Sequence, residues 1–296
     1  MKKNSQIGFL ILLTSTLIYS SYNIFIRIIG YNLPLFFQNS IRCLLITIVL
    51  FILVAYFKKR KKIRKKDWCW LIFRSLGGLV AFIAYYMAVN VLELGTTYFL
   101  FYASATISGF VIGKMMFTEK LNEPKIASLI LSLIGIVLVY RASFDQSKLL
   151  YLSLAIVSGL GWTFWLAFAK KISGNYSALY LNFIDSFLSF AVYLIISVFL
   201  KESWVMPNFS KVWIANYVMA LLMIITSQLV IYGFRRLEAQ IGSLVMLNEI
   251  LFGLLIGALL YKETIPLTSL LGGFLIVISS VVANLRFRRK KWILRS

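Results

Sequence analysis

Ten apolar stretches follow one another along the chain, near 7–29, 33–57, 68–91, 95–117, 124–141, 148–170, 176–200, 211–234, 240–261 and 266–287. About 20 mostly apolar residues cross a hydrocarbon core about 30 Å thick. Backbone in lipid must satisfy its own hydrogen bonds, so each stretch is predicted to be a helix. Polar punctuation fixes two of the joints: TEKLNEP around Glu119 and YKETIP around Glu263 each end one helix and start the next, with Pro124 and Pro266 suited to a first turn.

This pattern is written twice. LELGTTYFLFYASATISGFVIGKMMFTEKL from Leu92 aligns with LEAQIGSLVMLNEILFGLLIGALLYKETI from Leu237. Leu92 and Glu93 meet Leu237 and Glu238 at an offset of 145, and Gly109, Gly113 and Glu119 meet Gly253, Gly257 and Glu263 at 144. At an offset of 143, Phe25, Arg27 and Asn39 meet Phe168, Lys170 and Asn182. The expected fold is an all-α membrane protein of ten transmembrane helices in two five-helix repeats, residues 1–143 and 144–296. Five spans is an odd number, so the second repeat enters the membrane from the opposite side. Inverted repeats of this kind favour alternating access around a site near the midplane.

Composition agrees with that class. Hydrophobic residues make up 60% of the 296 and charged residues only 14%, against about 25% charged in a soluble domain. The net charge of +21 would suggest nucleic acid in a soluble protein, but it sits in short runs beside apolar segments. With both termini cytoplasmic, 22 basic residues fall in inner segments and six in outer ones, which fixes the topology. An integral protein of a bacterial cytoplasmic membrane is expected. The run KKRKKIRKKD at 58–67 has no aromatic interleaving, so it reads as a cytoplasmic loop touching anionic lipid, with no nucleic-acid partner. The first span is too long for a signal core and lacks a convincing cleavage site, which predicts a retained helix. Cys43 and Cys69 have no metal-ligand spacing and His is absent, so no metal and no cofactor is expected.

Charges inside spans are costly, at least ~2.5 kcal/mol near the centre, and each demands an explanation. Glu249, beside Asn248, is the deepest. It reads either as a binder of a substrate amine or a proton, or as a neutral packing group. Arg74 lies near the start of span 3, where it can snorkel or hold a carboxylate or phosphate with two hydrogen bonds. Asp185 falls on Arg42 at an offset of 143, and structural pairing is the favoured reading there. Tyr19 and Tyr22 in span 1 align with Trp162 and Trp165 in span 6, so both halves carry an i, i+3 aromatic pair on one helix face. Tyr98 and Tyr102 form an i, i+4 pair in span 4. These rings suit a planar or cationic substrate, or an interfacial belt in the case of Tyr98. Asn23 is polar at midspan depth and either binds substrate or joins helices. The GxxxG pairs at Gly109/Gly113 and Gly253/Gly257 read as close packing, giving a monomer or a weak dimer.

The GxxxG–E–K/T–P pattern closing spans 4 and 9, in a ten-span chain of two repeats, resembles the drug/metabolite transporter superfamily, specifically its EamA-type members. Arg42 in IRCLL matches an arginine such proteins carry early in span 2, and Arg74 in FRSLGG one found at the start of span 3 in one branch. YYMAVNVLELG from Tyr85 matches the aromatic–Ala run before span 4, and Glu249 in LNEIL the glutamate of an L-E-P motif in span 9. The proline often placed mid-span in spans 4 and 9 is Thr106 and Ile250 here, which leaves open whether these helices kink where relatives do.

The resemblance implies a carrier of small organic molecules with a cavity lined mainly by spans 1, 3, 4, 6, 8 and 9. The reading from sequence is a secondary transporter of an amino acid or an amino-acid or nucleotide derivative. Proton coupling and exchange stay open, and the expected substrate-binding residues are Tyr19, Tyr22, Asn23, Arg74, Tyr102, Trp162, Trp165, Asn248 and Glu249. The alternatives are a drug/metabolite exporter of the same fold or a non-transporting scaffold. An enzyme is disfavoured by the lack of His and of an intramembrane aspartyl pair, and a channel by the lack of a repeated filter loop or charged ring.

Overall fold

A computed structural model describes residues 3–30, 32–140 and 145–283. The expected spans appear as α1 (Lys3–Ile29), α2 (Leu35–Tyr56), α3 (Lys65–Val89), α4 (Leu94–Phe117), α5 (Glu123–Val139), α6 (Leu149–Ile172), α7 (Ala178–Phe199) and α8 (Lys211–Phe234). The ninth is divided into α9 (Ala239–Met246) and α10 (Asn248–Tyr261), and α11 (Leu267–Val282) is the tenth. Among the described residues, eight of these ten spans, with the ninth taken whole, are long and apolar enough to cross a membrane. The remaining two, α5 and α11, have 17 and 16 residues, and they pack on each other. A Cβ on Gly135 would lie 2.7 Å from the Gly272 carbonyl, and one on Gly272 2.5 Å from that of Gly135, so backbone meets backbone there. The repeat boundary and Arg141 fall at 141–144, and the basic C-terminal run after 283 and Lys2 likewise lie outside the described residues.

Local structure repeats along with sequence. Among the described residues, the non-glycine positions with positive φ are Lys58, Thr118, Lys201 and Lys262. They fall into two pairs related by the repeat, closing α2 and α7 and closing α4 and α10. Thr118 and Lys262 are left-handed C-caps whose N–H groups bond to the Gly113 and Gly257 carbonyls, and Glu119 N and Glu263 N bond to the same two carbonyls.

Packing follows an approximate two-fold relation. Helix α6 lies along α3 and α4, while α1 lies along α8 and the α9–α10 pair; α2 packs on α7 and α5 on α11. In a membrane such contacts depend on small residues that let helices approach. Gly77 and Gly161 bring α3 and α6 together, since a Cβ on Gly161 would lie 2.6 Å from the Gly77 carbonyl. A Cβ on Gly159 would lie 2.3 Å from the Phe101 carbonyl on α4.

The two copies part company at Leu247. Helix α4 runs unbroken, whereas its counterpart pauses for one residue, with Leu247 N bonded to the Leu244 carbonyl and Ile250 N to the Leu247 carbonyl. These i→i−3 bonds tighten the chain, and the Asn248 side chain donates to the Val245 carbonyl at 2.8 Å. A side chain competing for backbone carbonyls accounts for the interruption without proline or glycine.

Candidate functional site

The break in the ninth span sets a carboxylate into the centre of the molecule. Glu249 is in the first turn of α10, where the unbonded N–H groups of a helix favour negative charge. It lines a pocket between α4, α6, α9 and α10 with Tyr102, Thr106, Trp162, Thr163 and Ser243. Among the described residues no cation forms an ion pair with Glu249, and no side chain or backbone group bonds to its oxygens. The free volume is about 20 Å³, room for a water molecule and not for a metabolite.

Aromatic rings surround it. Tyr19 packs on Tyr22 at 5.0 Å and edge-on to Trp162 at 5.8 Å, and Trp162 stacks on Trp165 at 5.2 Å. The two i, i+3 pairs expected from sequence thus meet across the α1–α6 boundary. Tyr22 also shares a 2.5 Å hydrogen bond with Thr226 of α8. On α4, Tyr102 lies parallel to Tyr140 at 6.1 Å, and Tyr98 stacks on both Tyr102 and Tyr140, at 6.0 and 5.5 Å. Tyr85 adds a ring 5.9 Å from Tyr98. This ladder runs from the pocket toward the molecular end that holds Glu263. Tyr140 and Tyr85 are not among the site residues expected from sequence; each sits near the end of its span.

Of the other expected residues, Asn248 is buried and turned to the backbone, and Asn23 is exposed on α1, its amide 3.8 Å from where a Cβ on Gly253 would be. Arg74 is only 1% exposed and already engaged. Its guanidinium pairs with Asp185 at 3.0 Å, donates to the Asn182 side-chain Oδ1 at 2.9 Å and lies over the Trp165 ring at 4.8 Å. Asp185 also accepts from Ser75 and from the Trp165 indole, each at 2.7 Å. The repeat-related cluster has Arg42 donating to Asn216, Asn39 and Gln38. Trp165 is thus held by the Arg74–Asp185 pair on one side and stacks on Trp162, which faces Glu249, on the other. Arg74 positions an aromatic wall and forms no contact with Glu249.

The two ends of the molecule differ. At one, Glu119 is buried and accepts from the backbone N–H groups of Ala239 (2.6 Å) and Gln240 (3.1 Å) and from Lys170 (2.6 Å). Lys125 bonds there to Glu238 and to the Gln240 side chain. Every residue of α9 is buried. At the other end Glu263 pairs with Arg27 at 2.6 Å, and both side chains are about half exposed, 48% and 49%.

Comparison with known proteins agrees with this architecture. One solved crystal structure superposes with a TM-score of 0.80 at 16% identity, covering 94% of this chain and 98% of its own, and so shares the fold. No curated protein sequence matches the chain. The model of the EamA-like transporter family matches residues 6–141 and again 149–285, nearly the whole length. This double match, on a helical fold with inverted repeats and a central pocket, makes the chain a member of the EamA-like transporter family, within the drug/metabolite transporters.

Proposed function

We propose that the protein is a secondary transporter of small organic molecules that carry a protonated amine and a planar or aromatic part, moved by alternating access between its two repeats. The observation that carries this reading is Glu249: a carboxylate in the central pocket, on the first turn of a broken helix, beside aromatic side chains and, among the described residues, without a protein cation. Half-helix ends at the midplane are where inverted-repeat carriers hold charged groups. A substrate ammonium would neutralise the carboxylate, and Tyr102, Trp162 and Tyr19 would stack on the rest of it. Arg74, which sequence suggested for a substrate carboxylate, has its charge matched by Asp185 and supports the wall through Trp165 instead. On the basic-residue bias, the Glu119 end faces the cytoplasm and the Glu263 end the outside of a bacterial inner membrane.

A matched ligand set tests the reading. Tryptamine, tryptophan and indole-3-acetate share a ring system and differ in charge, and a bound ligand raises apparent stability by mass action. Tryptamine is expected to raise the Tm of the purified protein most and indole-3-acetate least, with the gain lost in Glu249→Gln while insertion and purification stay normal. Equal stabilisation of wild type and Glu249→Gln by the anionic compound would overturn the proposal.

A further inference from the structure

The turns that end α4 and α10 are copies of one local structure put to unequal use. In both, the helix closes on a left-handed residue and the following glutamate folds back over a glycine. A Cβ on Gly113 would lie 2.6 Å from a Glu119 carboxylate oxygen, and one on Gly257 2.4 Å from that of Glu263. In both, a cation from the last turn of a first-position helix reaches that glutamate, Lys170 on α6 and Arg27 on α1, which the repeat offset of 143 superposes. Glu119 goes further and caps α9 through Ala239 N and Gln240 N. The positions related to Ala239 and Gln240 are Leu94 and Gly95, which open α4 after Glu93 as Ala239 opens α9 after Glu238. Among the described residues, Glu263 makes no bond to either.

The glycine faces tell the same story. A Cβ on Gly109 would collide with Ser243 of α9 at 2.5 Å, and one on Gly113 with Gln240 at 2.7 Å. On α10, among the described residues, a Cβ on Gly253 would meet only the Asn23 amide at 3.8 Å, and one on Gly257 only its own Glu263. The second glycine face and the second carboxylate are built and stand without the helix they match.

We infer that Glu119 and Glu263 are alternating caps: Glu119 on the first turn of α9 closes one end of the path in the conformation described, and Glu263 on the first turn of α4 closes the other end in the opposite conformation. A carboxylate on backbone N–H groups at a helix start forms charge-assisted hydrogen bonds and meets the positive end of the dipole. Each cap therefore stabilises one state and is lost in the other. As α4 carries Glu119 off α9, the Gly253/Gly257 face of α10 closes on residues 94–98 and brings Glu263 to Leu94 N and Gly95 N. This inference rests on the alternating-access part of the proposed function and is independent of the substrate class, since its test needs no ligand.

Spin-label distances read it directly. Pairs at Lys120→Cys with Arg236→Cys and at Asn90→Cys with Lys262→Cys span the two ends, in full-length protein with Cys69→Ser and the buried Cys43 kept. Glu119→Gln is expected to lengthen the 120–236 distance and create a shorter 90–262 component, a population shift of ~tenfold or more. Adding Glu263→Gln, or Leu94→Pro, which deletes one N–H at a helix position that accepts proline, should reduce that short component several-fold. Should Glu119→Gln insert poorly, Gly109→Ala loosens the same end and serves as background. A 120–236 distribution that broadens while 90–262 stays fixed overturns the inference, as does a short 90–262 component indifferent to Glu263→Gln and Leu94→Pro.

Discussion

The two halves of this chain match one family pattern and differ in how they are held. Helix α4 is continuous and presses its glycine face onto α9; α9–α10 is interrupted, and among the described residues no helix presses as closely on the matching face of α10. Midway through the bundle two buried arginines of the first copy also meet different partners. Arg42 sits among neutral amides, whereas Arg74 is compensated by Asp185 of the second copy. A repeat thus supplies two versions of each device, and unequal neighbours hold one tightly and the other loosely.

Substitutions at related positions should expose that inequality. The largest effect on stability is expected from Asp185→Ala, which strands a buried guanidinium: loss of one partner of a buried pair costs about 3–5 kcal/mol. It should appear as a marked fall in Tm in detergent and as loss of fixed packing of Trp165 by fluorescence. Next come the paired glycines. Gly109→Ala should cost about 1–3 kcal/mol by overpacking against Ser243. Gly253→Ala should leave Tm unchanged or slightly raised, because α10 gains a better helix former by up to about 1 kcal/mol; transport should nonetheless slow in Gly253→Ala if its face must close. Smallest is Arg27→Ala, where a half-exposed pair contributes below about 1 kcal/mol. A fall in Tm as large as that of Asp185→Ala would mean the Glu263 end is closed rather than open.

Much of this architecture was legible in the chain. Ends of spans lie within a few residues of the polar breaks, because charge and Pro124 or Pro266 leave little freedom there, and the inverted repeat follows from offsets of 143 to 145 together with an odd span count. The aromatic pairs and Glu249 were readable as costly or directional groups in lipid. Three things were not. The interruption at Leu247 carries neither proline nor glycine, and only the asparagine beside it competes for the backbone. The partner of Arg74 lies on α7, so nothing local marks that arginine as already neutralised. The unequal use of Glu119 and Glu263 depends on what packs against each turn, and two similar motifs cannot announce which of them is engaged.

The central claim is that the Glu119 and Glu263 turns are one device presented to opposite sides of the membrane. Labelling of single cysteines at Lys120 and Lys262 with a membrane-impermeant maleimide, in sealed right-side-out and inside-out vesicles, tests it most directly. Lys262→Cys should react only from outside and Lys120→Cys only from the cytoplasmic side; reaction of both from one side would contradict the account.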